Sequence, residues 1–200
     1  MKLLAITDRR TLADSVEDFL ARAFVAGVDA VQIREKDLPA LELLRLAERA
    51  GRLANPHGTR VLLNGRLDVA LAAGLDGVHL PSAAPPADRA RTVVPTGFLI
   101  GVSCHSIDDL RRCEQEGADY ALFSPIFASV SKPGYGPALG VDHLARACRA
   151  TTIPVYALGG VSAANARDCM EAGATGIAGI SLFREAADLP ALVARLRSAP

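Results

Sequence analysis

Neither sign of charge dominates this chain. Its 22 Lys and Arg balance 22 Asp and Glu over 200 residues, so charge gives no argument for nucleic acid or an anionic membrane surface as a partner. No apolar run reaches 18 residues, and the N-terminal MKLLAI is cut off by Thr7, Asp8, Arg9 and Arg10, so neither a membrane span nor a signal peptide is expected. The expectation is a cytoplasmic protein with a small-molecule partner, and a homo-oligomer is left open. The four cysteines, Cys104, Cys113, Cys148 and Cys169, are scattered, with no Cys-x-x-Cys pair. That spacing argues against a zinc site or a disulfide framework and for free buried thiols. No linker interrupts the chain, and half of it is hydrophobic, so residues 1–200 read as one domain with a sizeable core.

An internal repeat is present in place of these missing features. AGVDAVQI from Ala26, AGLDGVHL from Ala73, EGADYALF from Glu116 and AGATGIAG from Ala172 each place a glycine before an apolar strand. Gly27, Gly74, Gly117 and Gly173 lie roughly 45 to 55 residues apart, about twice one βα unit, so each marks every second strand. Four further short apolar runs fall between them: Leu3 to Thr7, Arg60 to Asn64, Phe98 to Ser103 and Pro154 to Leu158. Helical patterns such as 15–26, 39–53, 107–116 and 163–171 alternate with the strands. Eight alternating units in one domain predict an α/β fold, a single (β/α)8 TIM barrel, rather than an open doubly wound sheet.

In such a barrel the chemistry sits where strands end. VQIREKD puts Gln32, Arg34 and Lys36 at period two, facing the axis, with Val31 and Ile33 under the helices. Two cations inside a barrel need an anion, either a ligand or a structural partner. The alternation places Glu35 and Asp37 on the opposite face. Asn64 ends the third strand, and the fifth ends GVSCHS, where Ser103 and His105 share a face and Cys104 points away. That parity argues against a Cys104–His105 nucleophilic pair and leaves His105 as the best general acid or base. His79, between apolar neighbours, reads as core, and His57 and His143 as surface. The last two strands end in Gly159-Gly160 and Gly179-Ile180-Ser181, where barrels often hold phosphate on backbone N–H groups. Between them, Asp119 to Gly140 begins as a buried strand and turns polar, supplying Ser129, Ser131 and Lys132 before a Pro- and Gly-rich stretch. Such a loop suits a phosphate or carboxylate; a solvated surface loop would look the same.

Taken together these motifs resemble the thiamine-phosphate synthase superfamily, which includes the related thiazole tautomerases. The resemblance runs nearly end to end: Ile6-Thr7-Asp8, Gln32-Ile33-Arg34-Glu35-Lys36, Leu63-Asn64, Gly101-Val102-Ser103 with His105, Pro125-Ile126-Phe127 with Ser129-x-Ser131-Lys132, and Gly159-Gly160. It implies a thiazole phosphate held by Ser129, Ser131, Gly160, Ile180 and Ser181. In a synthase a pyrimidine diphosphate would meet Gln32, Arg34, Lys36, Asn64, Ser103 and Lys132.

Two departures concern magnesium. The synthase pattern has Asn-Asp-Arg where this chain has Asn64-Gly65-Arg66, and an aspartate where this chain has Ala84. Both carboxylates are missing, and Mg²⁺ is a hard ion held by carboxylate and phosphate oxygens. The expectation drawn from this is an isomerase: a thiazole tautomerase of thiamine biosynthesis, with His105 moving a proton on a carboxythiazole phosphate and no metal or other cofactor. The alternatives are the synthase itself, a transferase that would need Mg²⁺, and a non-catalytic barrel that binds a thiamine intermediate.

Overall fold

The computed structural model describes residues 2–128 and 137–198. Eight strands close into one barrel in sequence order, β1 to β8, every neighbouring pair parallel. The strands are β1 (Lys2–Ile6), β2 (Ala30–Ile33), β3 (Arg60–Asn64), β4 (Gly77–Leu80), β5 (Leu99–Cys104), β6 (Tyr120–Phe123), β7 (Val155–Ala157) and β8 (Gly176–Gly179). The helices between and after them are α1 (Val16–Ala26), α2 (Ala40–Gly51), α3 (Leu67–Ala72), α4 (Ala87–Arg91), α5 (Ile107–Gln115), α6 (Val141–Arg149), α7 (Ala166–Glu171), α8 (Ser181–Arg184) and α9 (Leu189–Ser198). This is the expected (β/α)8 barrel, with the repeat glycines preceding β2, β4, β6 and β8.

The local chemistry explains the boundaries. Ser15 caps α1 by accepting from Asp18 N at 3.1 Å, and Gly27 ends it at φ 74°, a left-handed conformation that costs glycine no Cβ clash. The helical pattern from 163 starts later than expected, because residues 162–165 form a turn in which Asn165 Oδ1 accepts from Ser162 N. At α5 a capping box joins Ser106 and Asp109, and the same Asp109 carboxylate accepts from His105 N at 3.1 Å. The start of that helix therefore also anchors the end of β5.

Period-two alternation separates two cores. Val31, Ile33, Leu63, Val78, Ile100, Phe123 and Ile177 face outward and pack with Phe19, Phe24 and Leu110 of the helices; each large side chain so buried contributes about 1.5–3 kcal/mol. Leu4, Ile6, Leu62, Tyr120, Leu122 and Ala178 fill the barrel axis. Above that inner plug, at the C-terminal ends of the strands, the inward residues become polar.

Candidate functional site

That polar mouth is lined by Gln32, Arg34, Lys36, Asn64, His79, Ser103, His105 and Ser124, with Ile6, Leu122, Leu158 and Ile180 as its apolar floor and wall. The inward parity expected for Gln32, Arg34 and Lys36, and for Ser103 with His105, is what the structure has. Gln32 is 1% exposed. Its Oε1 accepts from Asn64 Nδ2 at 3.2 Å, while its buried Nε2 has no partner among the described residues. An unmet buried donor costs about 1–3 kcal/mol, and this one belongs to a side chain that lines the mouth.

Arg34 and Lys36 stand beside it, beyond the end of β2. Glu35 faces the other way, as alternation requires, and is the anchor of this turn. It is buried, its Oε1 accepts from Thr7 Oγ1, and its Oε2 accepts from Arg9 N at 2.8 Å. Thr7 Oγ1 in turn accepts from Arg34 N at 2.9 Å. The buried carboxylate thus sets the backbone from which Arg34 projects. Asp37 pairs with Arg9 and Arg10, and the acid near Arg34 is Asp8, at 3.9 Å. Burial and the neighbouring Arg34 charge both lower the Lys36 pKa.

On the opposite wall, Cys104 points to α5, its Sγ 3.6 Å from Cys113 Sγ, so it forms no pair with His105. His105 Nδ1 lies 2.7 Å from the Ser124 carbonyl. A carbonyl only accepts, so Nδ1 carries the proton, and a neutral ring has its lone pair on Nε2.

His79 is buried, as expected of a core residue, yet it also contacts the site. Its Nε2 is 2.8 Å from Ser103 Oγ and its Nδ1 is 3.2 Å from Tyr120 Oη. Burial holds its pKa down at about 3 and drives that of Tyr120 up. Alternation from Gly77 gives His79 the same inward parity as the other site residues, a signal that its apolar neighbours hid. His143 is half-buried and stacks on Phe123 at 5.8 Å, rather than lying on the open surface; His57 is exposed.

The remaining candidates are spread more widely. Ile180 reaches the mouth, but Ser181 lines an adjoining cleft with Ser162 and Glu185. Gly160, at φ 63°, packs where a Cβ would fall 2.5 Å from Ala128 O, so only glycine fits there. Ser129, Ser131 and Lys132 lie outside the described residues. Among the described residues, no group of three or more His, Cys, Asp or Glu side chains could hold a metal ion, and no helix is long and apolar enough to cross a membrane.

Comparison with known proteins agrees with this architecture. Residues 3–183 match the family described as thiamine monophosphate synthase. A putative thiamine-phosphate synthase of Geobacter sulfurreducens is 46% identical over 90% of this chain and 84% of its own. A thiamine-phosphate synthase of Methanoculleus marisnigri is 41% identical over 98% and 93%. Among solved structures, the thiamine phosphate pyrophosphorylase of Pyrococcus furiosus superposes with a TM-score of 0.86 at 31% identity, covering 98% of this chain and 93% of that one.

These relatives overturn the isomerase expectation. Gly65 and Ala84 suggested a thiazole tautomerase, but relatives at 35–46% identity over most of the chain carry the synthase name, a transferase. Two missing carboxylates remove metal donors without saying which substrate the remaining residues select, so they were too narrow a basis for the choice. The barrel, its mouth of inward polar residues and the match over residues 3–183 together place the chain in the thiamine monophosphate synthase family.

Proposed function

We propose that the chain is a cytoplasmic thiamine-phosphate synthase, which joins two small molecules, a pyrimidine carrying a methylene diphosphate and a thiazole phosphate. The thiazole ring nitrogen forms a C–N bond to the methylene carbon. The C–O bond to the diphosphate breaks, and the diphosphate leaves with the electron pair.

The observation that carries this reading is the buried Gln32 amide nitrogen, which has no partner among the described residues, beside Arg34 and Lys36. One ligand with a ring acceptor and an anionic tail, joined by a short methylene, would satisfy all three. In this reading Gln32 and Asn64 hold the pyrimidine, while Arg34, Lys36 and Lys132 offset charge on the leaving diphosphate. Ser103 donates to the same molecule. Ser129, Ser131, Gly160, Ile180 and Ser181 are assigned to the thiazole phosphate. His105 borders both substrates, with its Nδ1–H donated to the Ser124 carbonyl.

The family pattern also implies Mg²⁺, and the side chains here do not fit a protein-held ion. Gly65 has no carboxylate and sits at φ 75° with Pro81 3.8 Å from where a Cβ would be, and Ala84 offers no oxygen ligand. No step above is routed through a metal. The test is to supply pyrimidine diphosphate and thiazole phosphate, with and without Mg²⁺, and follow thiamine phosphate and pyrophosphate together. Their release in equal amounts supports the reading; no product under either condition refutes it.

A further inference from the structure

Beneath Ser103 lies a buried chain of polar groups that the reaction above does not use. In the barrel register Asn64 pairs with His79, His79 with Gly101, and Gly101 with Tyr120. Gly101 separates the two rings with no side chain: a Cβ there would sit 2.0 Å from the Tyr120 ring. The imidazole of β4 and the phenol of β6 therefore meet across β5, centroids 5.8 Å apart, and Tyr156 closes the far side of the phenol edge-on at 5.6 Å. His79 and Tyr120 are 1% and 6% exposed.

The direction of the hydrogen bonds follows from counting protons. Burial disfavours charge on both groups, so the phenol keeps its O–H and the imidazole is neutral, with one N–H and one lone pair. Among the described residues the phenol's hydrogen-bond partner is His79 Nδ1. If Nδ1 carried the proton, the buried phenol hydrogen would have no acceptor, an arrangement that loses the full solvation of that group. The phenol therefore donates to Nδ1, the ring proton is on Nε2, and Nε2 donates to Ser103 Oγ at 2.8 Å. Because Ser103 Oγ accepts from Nε2, its own hydrogen is not spent on His79 and is left for an acceptor in the mouth, beside Arg34 and Lys36.

We propose that His79 and Tyr120 are positioning residues that keep the Ser103 hydrogen available to donate to an anionic oxygen of the substrate, resting on the synthase reading for what that substrate is. A serine without such a relay can rotate to accept or donate. Here the ring N–H of His79 occupies one acceptor position and leaves the hydroxyl hydrogen for the ligand before it arrives, which suits a diphosphate.

Two measurements test it. In the intact protein labelled with ¹⁵N in its histidine rings, assigned by replacing His57, His105 and His143 singly, His79 at neutral pH should show its proton on Nε2. A proton on Nδ1, or on both nitrogens, overturns the relay, and this readout stands whether or not the protein makes thiamine phosphate. The second is a double-mutant cycle on thiamine phosphate formation, with Tm followed in parallel. Ser103→Ala should lower kcat/KM by about 10- to 100-fold, the range of one charge-assisted hydrogen bond. Tyr120→Phe keeps the ring packing and should lower it about 3- to 10-fold in the native background, yet less than about twofold when Ser103 is already alanine. The same factor in both backgrounds would mean that Tyr120 acts only through packing and would overturn the proposal. Absence of turnover in the unaltered protein would instead refute the synthase reading and leave the ¹⁵N result to decide the relay.

Discussion

Acid should weaken this fold through one identifiable group. His79 is held at a pKa of about 3 by burial, against an ordinary 6.5. Below pH 6.5 the unfolded chain binds a proton on this imidazole that the folded chain refuses, so the stability it contributes is full above pH 6.5 and is lost progressively as pH falls toward 3. Each unit between those limits is worth about 1.4 kcal/mol. The loss attributable to His79 is then about 1.4 kcal/mol at pH 5.5 and about 2.7 kcal/mol at pH 4.5. For a chain of this length the latter corresponds to a Tm drop of roughly 5–10 °C. The assay is urea unfolding at pH 7.5, 6.5, 5.5 and 4.5 for the native protein and for His79→Gln, which has no imidazole to titrate. Carboxylate contributions cancel in the difference, so the native curve should fall more steeply, by nearly one proton per molecule below pH 6. Parallel curves would refute the reasoning, since they would mean that His79 gains its proton equally in both states.

Three further outcomes follow from the same geometry. Gly101→Ala drives a methyl group into the Tyr120 ring, 2.0 Å from Cζ and 2.4 Å from Oη. Overpacking and the lost His79 hydrogen bond should together cost about 2–4 kcal/mol in denaturant unfolding, and adding Tyr120→Leu should restore part of it; a loss under about 0.5 kcal/mol would show that the ring moves freely. Glu35→Ala removes the acceptor for Thr7 Oγ1 and Arg9 N, which should cost about 2–4 kcal/mol of stability and raise the KM for the pyrimidine diphosphate, because Arg34 loses its anchored backbone; an unchanged KM would separate Glu35 from the site. Lys36 has its pKa lowered by burial and by Arg34, so pyrophosphate affinity, measured by calorimetry, should decline with rising pH from below the ordinary lysine range. Lys36→Arg should flatten that decline, and an unaltered profile would place the pyrophosphate elsewhere.

The sequence by itself determined the eight alternating units, the positions of the repeat glycines and the face on which each strand-end residue lies. These are local properties: period-two alternation fixes the side of Gln32, Arg34, Ser103 and His105, and a left-handed φ at Gly27 needs no distant contact. It did not determine the branch of the family, since Gly65 and Ala84 report only which oxygen ligands are missing, and it left open what the chain between Ser129 and Lys132 does. Only the tertiary structure decided which residues meet. Gln32 joins Asn64 across 32 residues, Thr7 joins Glu35 across 28, and His79 joins Tyr120 across 41. Those pairings depend on the stagger with which the strands close the barrel and on the space left by Gly101 in the strand between them. Barrel closure turned His79 from one more buried residue beside apolar neighbours into the group that touches Ser103.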